Sequence, residues 1–120
     1  MHQFSEPRVL VVEDEVLIGL DVKDTLVALG CQVLGPIATV ATAIQTVTTS
    51  HLDAAVLDIN LGKELSFPIA DALTIAAVPF IFLTGYNREI LPVAHRNRPL
   101  LRKPFLPNAL VAELARVLAA

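Results

Sequence analysis

Five side chains suited to chemistry follow short apolar runs in this sequence. They are Glu13, Asp14, Asp58, Thr84 and Lys103. Carboxylates that are crowded together raise one another's pKa unless a cation joins them. Because hard oxygen ligands at high density suit Mg²⁺, the three carboxylates predict a divalent metal site if the fold brings them together.

Asp58 is the candidate nucleophile of such a site. Beside a bound cation its carboxylate stays ionised and can form a covalent carboxyl phosphate. Phosphoryl transfer needs little beyond alignment and neutralisation of the equatorial oxygens. Thr84 and Lys103 are of suitable types for that role, so the residue set favours phosphoryl transfer onto an aspartate.

The elements that must position these residues are short apolar strands alternating with helical patterns, which predicts a parallel sheet flanked by helices. The predicted strands are residues 8–12, 32–35, 53–58, 79–83 and 99–102. In a doubly wound α/β sheet, ligands bind outside the carboxyl ends of the strands. All five polar residues are therefore expected at one edge of the sheet.

Five helices are predicted between and after these strands. Apolar residues at helical spacing occupy residues 18–29, 40–47 and 68–77, with Thr39 as a candidate N-terminal cap. Pro107 opens a last helix whose Leu110, Leu114 and Val117 face the core. Between 87 and 97 the pattern fades, since Pro92 interrupts any helix. A fourth helix of two turns or fewer is expected there.

Length and composition favour one domain covering residues 1–120. A chain of 120 residues with 54% hydrophobic residues forms a single core more readily than two. There is no apolar run long enough to span a membrane and no signal-peptide pattern, so a cytoplasmic location is expected. The lone Cys31 fits this and is predicted to be a buried small hydrophobe.

The net charge of −3 conceals an asymmetry. Residues 1–83 carry ten acids and three bases, whereas residues 84–120 carry six bases and two acids. The basic part is too sparse for a nucleic-acid stripe, so no direct nucleic-acid binding is expected.

Three arginines are predicted to form a solvated face, with a partner surface as the alternative: Arg88, Arg96 and Arg98. The three histidines are predicted to lie at the surface: His2, His51 and His95.

Four segments together resemble the receiver domain of two-component response regulators, over essentially the whole length. They are Val11-Val12-Glu13-Asp14-Glu15, Val56-Leu57-Asp58-Ile59-Asn60-Leu61, Leu83-Thr84-Gly85 and Lys103-Pro104-Phe105. The resemblance implies a flavodoxin-like fold with strand order 2-1-3-4-5. It also implies a signalling domain rather than an enzyme, with only self-catalysed phosphotransfer and dephosphorylation.

The resemblance implies a role for each matching residue in the metal site. Asp58 would accept the phosphoryl group from a histidine kinase and would also bind Mg²⁺. Asp14 would bind the metal directly and Glu13 through water. The backbone carbonyl of Asn60 would be a further ligand.

Other matching residues would serve the phosphoryl group and the switch. Thr84 would hydrogen-bond the phosphoryl group and Lys103 would pair with it. Gly85 would leave the phosphoryl pocket open, and Lys103–Pro104 would be a cis peptide.

Residues 79–86 are similar to the signature of the FAT GUY subgroup of receivers, which tend to serve HWE-type histidine kinases. Leu83 replaces the alanine of that signature. A second departure is Leu100, which stands where receivers usually have an aromatic switch residue. Tyr86 is either a packed aromatic or a substitute for that residue, and the two readings have equal weight.

Partners and alternatives follow from the same residues. A histidine phosphotransfer protein or a downstream regulator is a further expected partner. No output domain is expected within this chain, and the domain is expected to be a monomer or weak dimer.

A pseudo-receiver that no longer accepts phosphate is the main alternative. A dehalogenase-type phosphatase would need an acid where Asn60 lies, and a nucleotide-binding protein would need a glycine-rich loop after the first strand.

Overall fold

The computed structural model describes residues 6–85 and 91–119, which form a five-stranded parallel sheet with helices on both faces. The strands are β1 Arg8–Val12, β2 Gln32–Ile37, β3 Ala54–Asp58, β4 Phe80–Thr84 and β5 Leu100–Arg102. The helices are α1 Val16–Ala28, α2 Val40–Thr49, α3 Phe67–Ile75 and α4 Pro107–Ala119. The strand order is β2-β1-β3-β4-β5, which confirms the predicted topology.

The prediction of a fifth helix is wrong. The described residues contain four α-helices, and the region around Pro92 contributes only a 3₁₀ helix, Val93–His95. Proline has no N–H to donate and its ring obstructs the preceding turn, so the short stretch before β5 is limited to a single turn. Residues 86–90 lie outside the described part of the chain.

The core has two layers because side chains alternate across each strand. Leu10 and Val12 of β1 face the layer that contains α2 and α3, whereas Val9 and Val11 face the layer that contains α1 and α4. Strands β3 and β4 are buried along their whole length, as expected for central parallel strands covered on both faces. Cys31 is buried in the second layer, as predicted.

None of the helices within residues 6–85 and 91–119 combines the length and apolar character needed to cross a bilayer.

Gly35 sets the register at the edge of the sheet where the polar residues collect. The β1–β2 pairing shifts between Leu10 and Val12, so that Val12 pairs with Ile37. Gly35 has φ +118°, and a Cβ there would collide with the backbone oxygen of Val11. The close approach lets the Glu13 N–H donate to the Ile37 carbonyl over 2.9 Å, which fixes the backbone of Glu13.

We predict that Gly35→Ala destabilises the fold by about 2–5 kcal/mol, because left-handed strain and overpacking add. Gly30→Ala is the matched control. Gly30 also has a positive φ, +97°, but a Cβ there would meet no atom within 4 Å, so the expected cost is only about 1–2 kcal/mol. Urea unfolding measures both, and equal losses would contradict the steric argument.

Candidate functional site

The five polar residues predicted to do chemistry meet at the carboxyl edge of the sheet. Glu13 and Asp14 directly follow β1, Asp58 ends β3, Thr84 ends β4, and Lys103 directly follows β5. Glu13, Asp14 and Asp58 each offer a carboxylate oxygen such that all these atoms lie within 4.8 Å of one another. The parallel topology alone therefore assembles the predicted carboxylate cluster.

Lys103 holds two of these carboxylates together. Its Nζ donates a hydrogen bond to Asp58 Oδ2 over 3.0 Å and lies 3.0 Å from Glu13 Oε1. The backbone N–H of Lys103 donates to the Thr84 carbonyl over 2.8 Å, which ties the ends of β4 and β5. The peptide bond that follows, Lys103–Pro104, is cis, as the family resemblance predicts.

Glu13 is a carboxylate of the cluster whose charged form is disfavoured by burial. Its side chain is buried, with a whole-residue exposure of 2%. Burial raises the pKa of the Glu13 carboxyl from 4.5 to about 7, its hydrogen bond with Asp58 adds to this effect, and Lys103 opposes it. Glu13 Oε1 lies 3.0 Å from Lys103 Nζ in an ion pair and has no partner with standard hydrogen-bond geometry.

The neighbouring carboxylates of Glu13 and Asp58 stabilise the charged form of Lys103. Burial acts to lower the pKa of Lys103, but the hydrogen bonds and charges of Glu13 and Asp58 outweigh burial and the pKa is raised. Lys103 is therefore positively charged within the site at ordinary pH.

The cluster opens into a surface cavity of about 490 Å³. Its lining residues are Asp14, Glu15, Asp58, Asn60, Gly62, Gly85 and Lys103. The Asn60 side chain is engaged locally, because its Oδ1 accepts a hydrogen bond from the Gly62 N–H over 2.9 Å. A Cβ at Gly85 would meet no described atom within 4 Å, so the space beside this residue is open.

The donor set fits a hard divalent cation such as Mg²⁺. Three carboxylates supply oxygen ligands, and Glu13 Oε1 is buried without a hydrogen-bond partner. Burial raises the pKa of Glu13, and the neighbouring Asp58 adds to this effect, because both disfavour the charged form. A cation shared by these oxygens would stabilise the charged form of Glu13.

Comparison with known proteins gives the family. No family model and no curated protein matches the sequence. Among solved structures, SdrG from Sphingomonas melonis Fr1 is 38% identical, with a TM-score of 0.82 over 96% of this chain and 98% of SdrG. The chemotaxis response regulator CheY4 of Vibrio cholerae is 25% identical, with a TM-score of 0.82 over 94% of this chain and 99% of CheY4.

A response regulator receiver protein from Sinorhizobium medicae WSM419 is 22% identical, with a TM-score of 0.85 over 97% of each chain, and shares the fold. The chain belongs to the response-regulator receiver domains. As in the predicted receiver fold, a helix-flanked parallel sheet in the order 2-1-3-4-5 presents acidic residues at one edge.

The prediction that His95 lies at the surface is wrong. His95 is 3% exposed and its Nε2 lies 2.7 Å from Asp71 Oδ1 on α3. Its ring also packs edge-on against Phe80 and Phe82 of β4. The contact with Asp71 spans 24 residues of sequence, so no local pattern signals it. The exposed His51 agrees with its prediction.

The arginines also make more contacts than predicted. Arg98 is half-buried with its guanidinium 4.7 Å from the Phe80 ring centroid, and exposed Arg96 donates to the Leu91 carbonyl over 3.1 Å. Leu100 is half-buried beside Phe82 in the β4–β5 ladder. Predictions for His2, Tyr86 and Arg88 fall outside the described residues.

We predict that, without divalent metal, the receiver loses stability as the pH rises from about 4.5 to about 7. The folded protein binds a proton at Glu13 in this window, whereas the unfolded chain has already released it. The loss should be on the order of 3 kcal/mol. Glu13→Gln, which stays neutral, should flatten this slope in urea unfolding with EDTA present. Equal slopes in both proteins would show that Glu13 titrates normally.

Proposed function

We propose that this receiver accepts a phosphoryl group from a histidine kinase onto Asp58 in a Mg²⁺-dependent reaction, and that the product switches partner binding or passes the phosphate on. The observation that carries the proposal is the position of Asp58. Its carboxylate ends a buried central strand, faces the open cavity and is hydrogen-bonded by Lys103.

The transfer is a displacement at phosphorus. A carboxylate oxygen of Asp58 forms the new O–P bond while the P–N bond to the donor histidine breaks, and the electron pair of that bond stays on the imidazole. Mg²⁺, held by Glu13, Asp14 and Asp58 with the Asn60 carbonyl, would supply neutralisation of the phosphoryl oxygens.

The remaining residues orient the group and balance its charge. The Lys103 ammonium already lies 3.0 Å from Asp58 Oδ2, so it can pair with the phosphoryl oxygens with little movement. The Thr84 hydroxyl would donate a hydrogen bond to the same group from the end of β4. Gly85 leaves room beside them.

A related protein supports phosphorylation over the pseudo-receiver alternative. SdrG is also known in a BeF₃-activated conformation, in a structure 38% identical to this chain. Because BeF₃ mimics a phosphoryl group, this relative is activated by a mimic of the modification proposed here. Every active-site residue type expected of a phosphorylatable receiver is also present in this chain, which a pseudo-receiver would not need.

We further place this receiver in the FAT GUY subgroup, on the segment 79–86, with an HWE-type kinase as its cytoplasmic phosphodonor. A histidine phosphotransfer protein or a regulator would read its state. With Leu100 in place of an aromatic switch residue, we assign that readout to the residues between β4 and β5, including Tyr86, together with Pro104 after the active-site lysine.

We predict that acetyl phosphate with Mg²⁺ adds one phosphoryl group to the wild type and none to Asp58→Asn, since an amide is a poor nucleophile. Asp21→Asn, an exposed position on α1, is the matched control and should label like the wild type. Intact-mass spectrometry measures the products, and equal labelling of Asp58→Asn would overturn the assignment.

We predict that Asp14→Ala weakens Mg²⁺ binding by more than the ~10-fold that outer-shell changes cost. The metal-free variant should fold normally and gain stability, because one of three crowded carboxylates is removed. Asp24→Ala on α1 is the control. Mg²⁺ titration by calorimetry and urea unfolding measure the two effects, and an unchanged titration would show that the ligand set is wrong.

A further inference from the structure

His95 is a buried polar side chain with no place in the proposed phosphotransfer. Its Nε2 lies 2.7 Å from Asp71 Oδ1, and the Asp71 side chain is 66% exposed. The Nδ1 atom is buried without a hydrogen-bond partner. The contact therefore fits the neutral tautomer that carries its hydrogen on Nε2 and donates it to Asp71, because no buried N–H is then left unpaired.

A second contact ties the same segment to α3. The Arg98 guanidinium donates to Thr74 Oγ1 over 2.8 Å and lies over the Phe80 ring. Asp71 and Thr74 are three residues apart on α3 and therefore lie on one face. Residues 91–98, here called the 91–98 segment, are thus held to α3 at two points.

The ring of His95 lies on the face of β4 to which Phe80 and Phe82 belong. Phe80 and Phe82 contact the ring at centroid distances of 5.9 and 6.0 Å. Thr84, two residues after Phe82, points to the same side of the strand. Leu91, 1% exposed, belongs to the same core layer as both phenylalanines.

The ends of the 91–98 segment are connected to the strands that carry the site. One end leads back to β4 and Thr84, and the other leads into β5 and Lys103. The middle is fixed instead to α3 through His95. A displacement of the end of β5 toward the cavity would act on a segment whose middle is held to α3 by the contact between His95 and Asp71.

We propose that the His95–Asp71 hydrogen bond is a latch that holds the 91–98 segment in the unphosphorylated state and opposes phosphorylation of Asp58. This inference rests on the proposed function. A phosphoryl group adds roughly −1.5 to −2 charges and attracts Thr84 and Lys103, which pulls the segment away from α3. Because coupling between two sites is reciprocal, breaking the latch must strengthen binding at Asp58.

The test is calorimetric titration of beryllofluoride in excess Mg²⁺, with hydrogen exchange of the 91–98 segment before and after binding. Asp71→Ala removes the acceptor at an exposed position and should bind on the order of fivefold more tightly, the factor that one net hydrogen bond contributes. Its 91–98 segment should exchange faster before binding. Asp71→Asn keeps an acceptor oxygen and should resemble the wild type.

Glu113→Ala is the matched control, because it removes an acid that pairs with Arg116 on α4, and it should leave the affinity unchanged. Absence of beryllofluoride binding to the wild type would overturn the proposed function and the coupling with it. Binding by the wild type with equal or weaker affinity in Asp71→Ala would overturn the latch alone. A change in Asp71→Asn as large as in Asp71→Ala would overturn it as well.

Discussion

The crowding of Glu13, Asp14 and Asp58 around the single ammonium of Lys103 is the constraint on which the rest of this receiver depends. Parallel strands bring the three acids within 4.8 Å of one another, and Lys103 neutralises only part of their charge. Burial and the neighbouring Asp58 raise the pKa of Glu13, because both disfavour its charged form. Under the proposed function, a cation stabilises the three carboxylates and prepares the site for a phosphoryl group.

The fold supports that crowding through its backbone. The shift in pairing between β1 and β2 at Gly35 places the Ile37 carbonyl where it accepts from the Glu13 N–H. The Thr84 carbonyl likewise accepts from the Lys103 N–H. Because main-chain hydrogen bonds hold the residues on both sides of Asp58, side chains there can change partners without loss of the sheet edge.

The region between β4 and β5 is held in place by side-chain contacts with α3. It lacks an α-helix in the described residues, and its 91–98 segment is joined to α3 by His95 with Asp71 and by Arg98 with Thr74. Under the proposed latch, a change at Asp58 is transmitted through this part of the receiver.

The sequence by itself determined the parallel sheet, the acidic residues at its strand ends and the resemblance to receivers, since hydrophobic period, strand-end residues and motif order are local features; the strand order was predicted only through that resemblance. The predictions for Asp58 and Lys103 depended only on parallel strands ending at one edge. Tertiary structure alone decided the burial of His95 and the contacts of Arg98, because their partners lie 24 residues away in sequence. It also decided that the stretch around Pro92 forms a 3₁₀ turn, because short segments take their conformation from the core against which they pack.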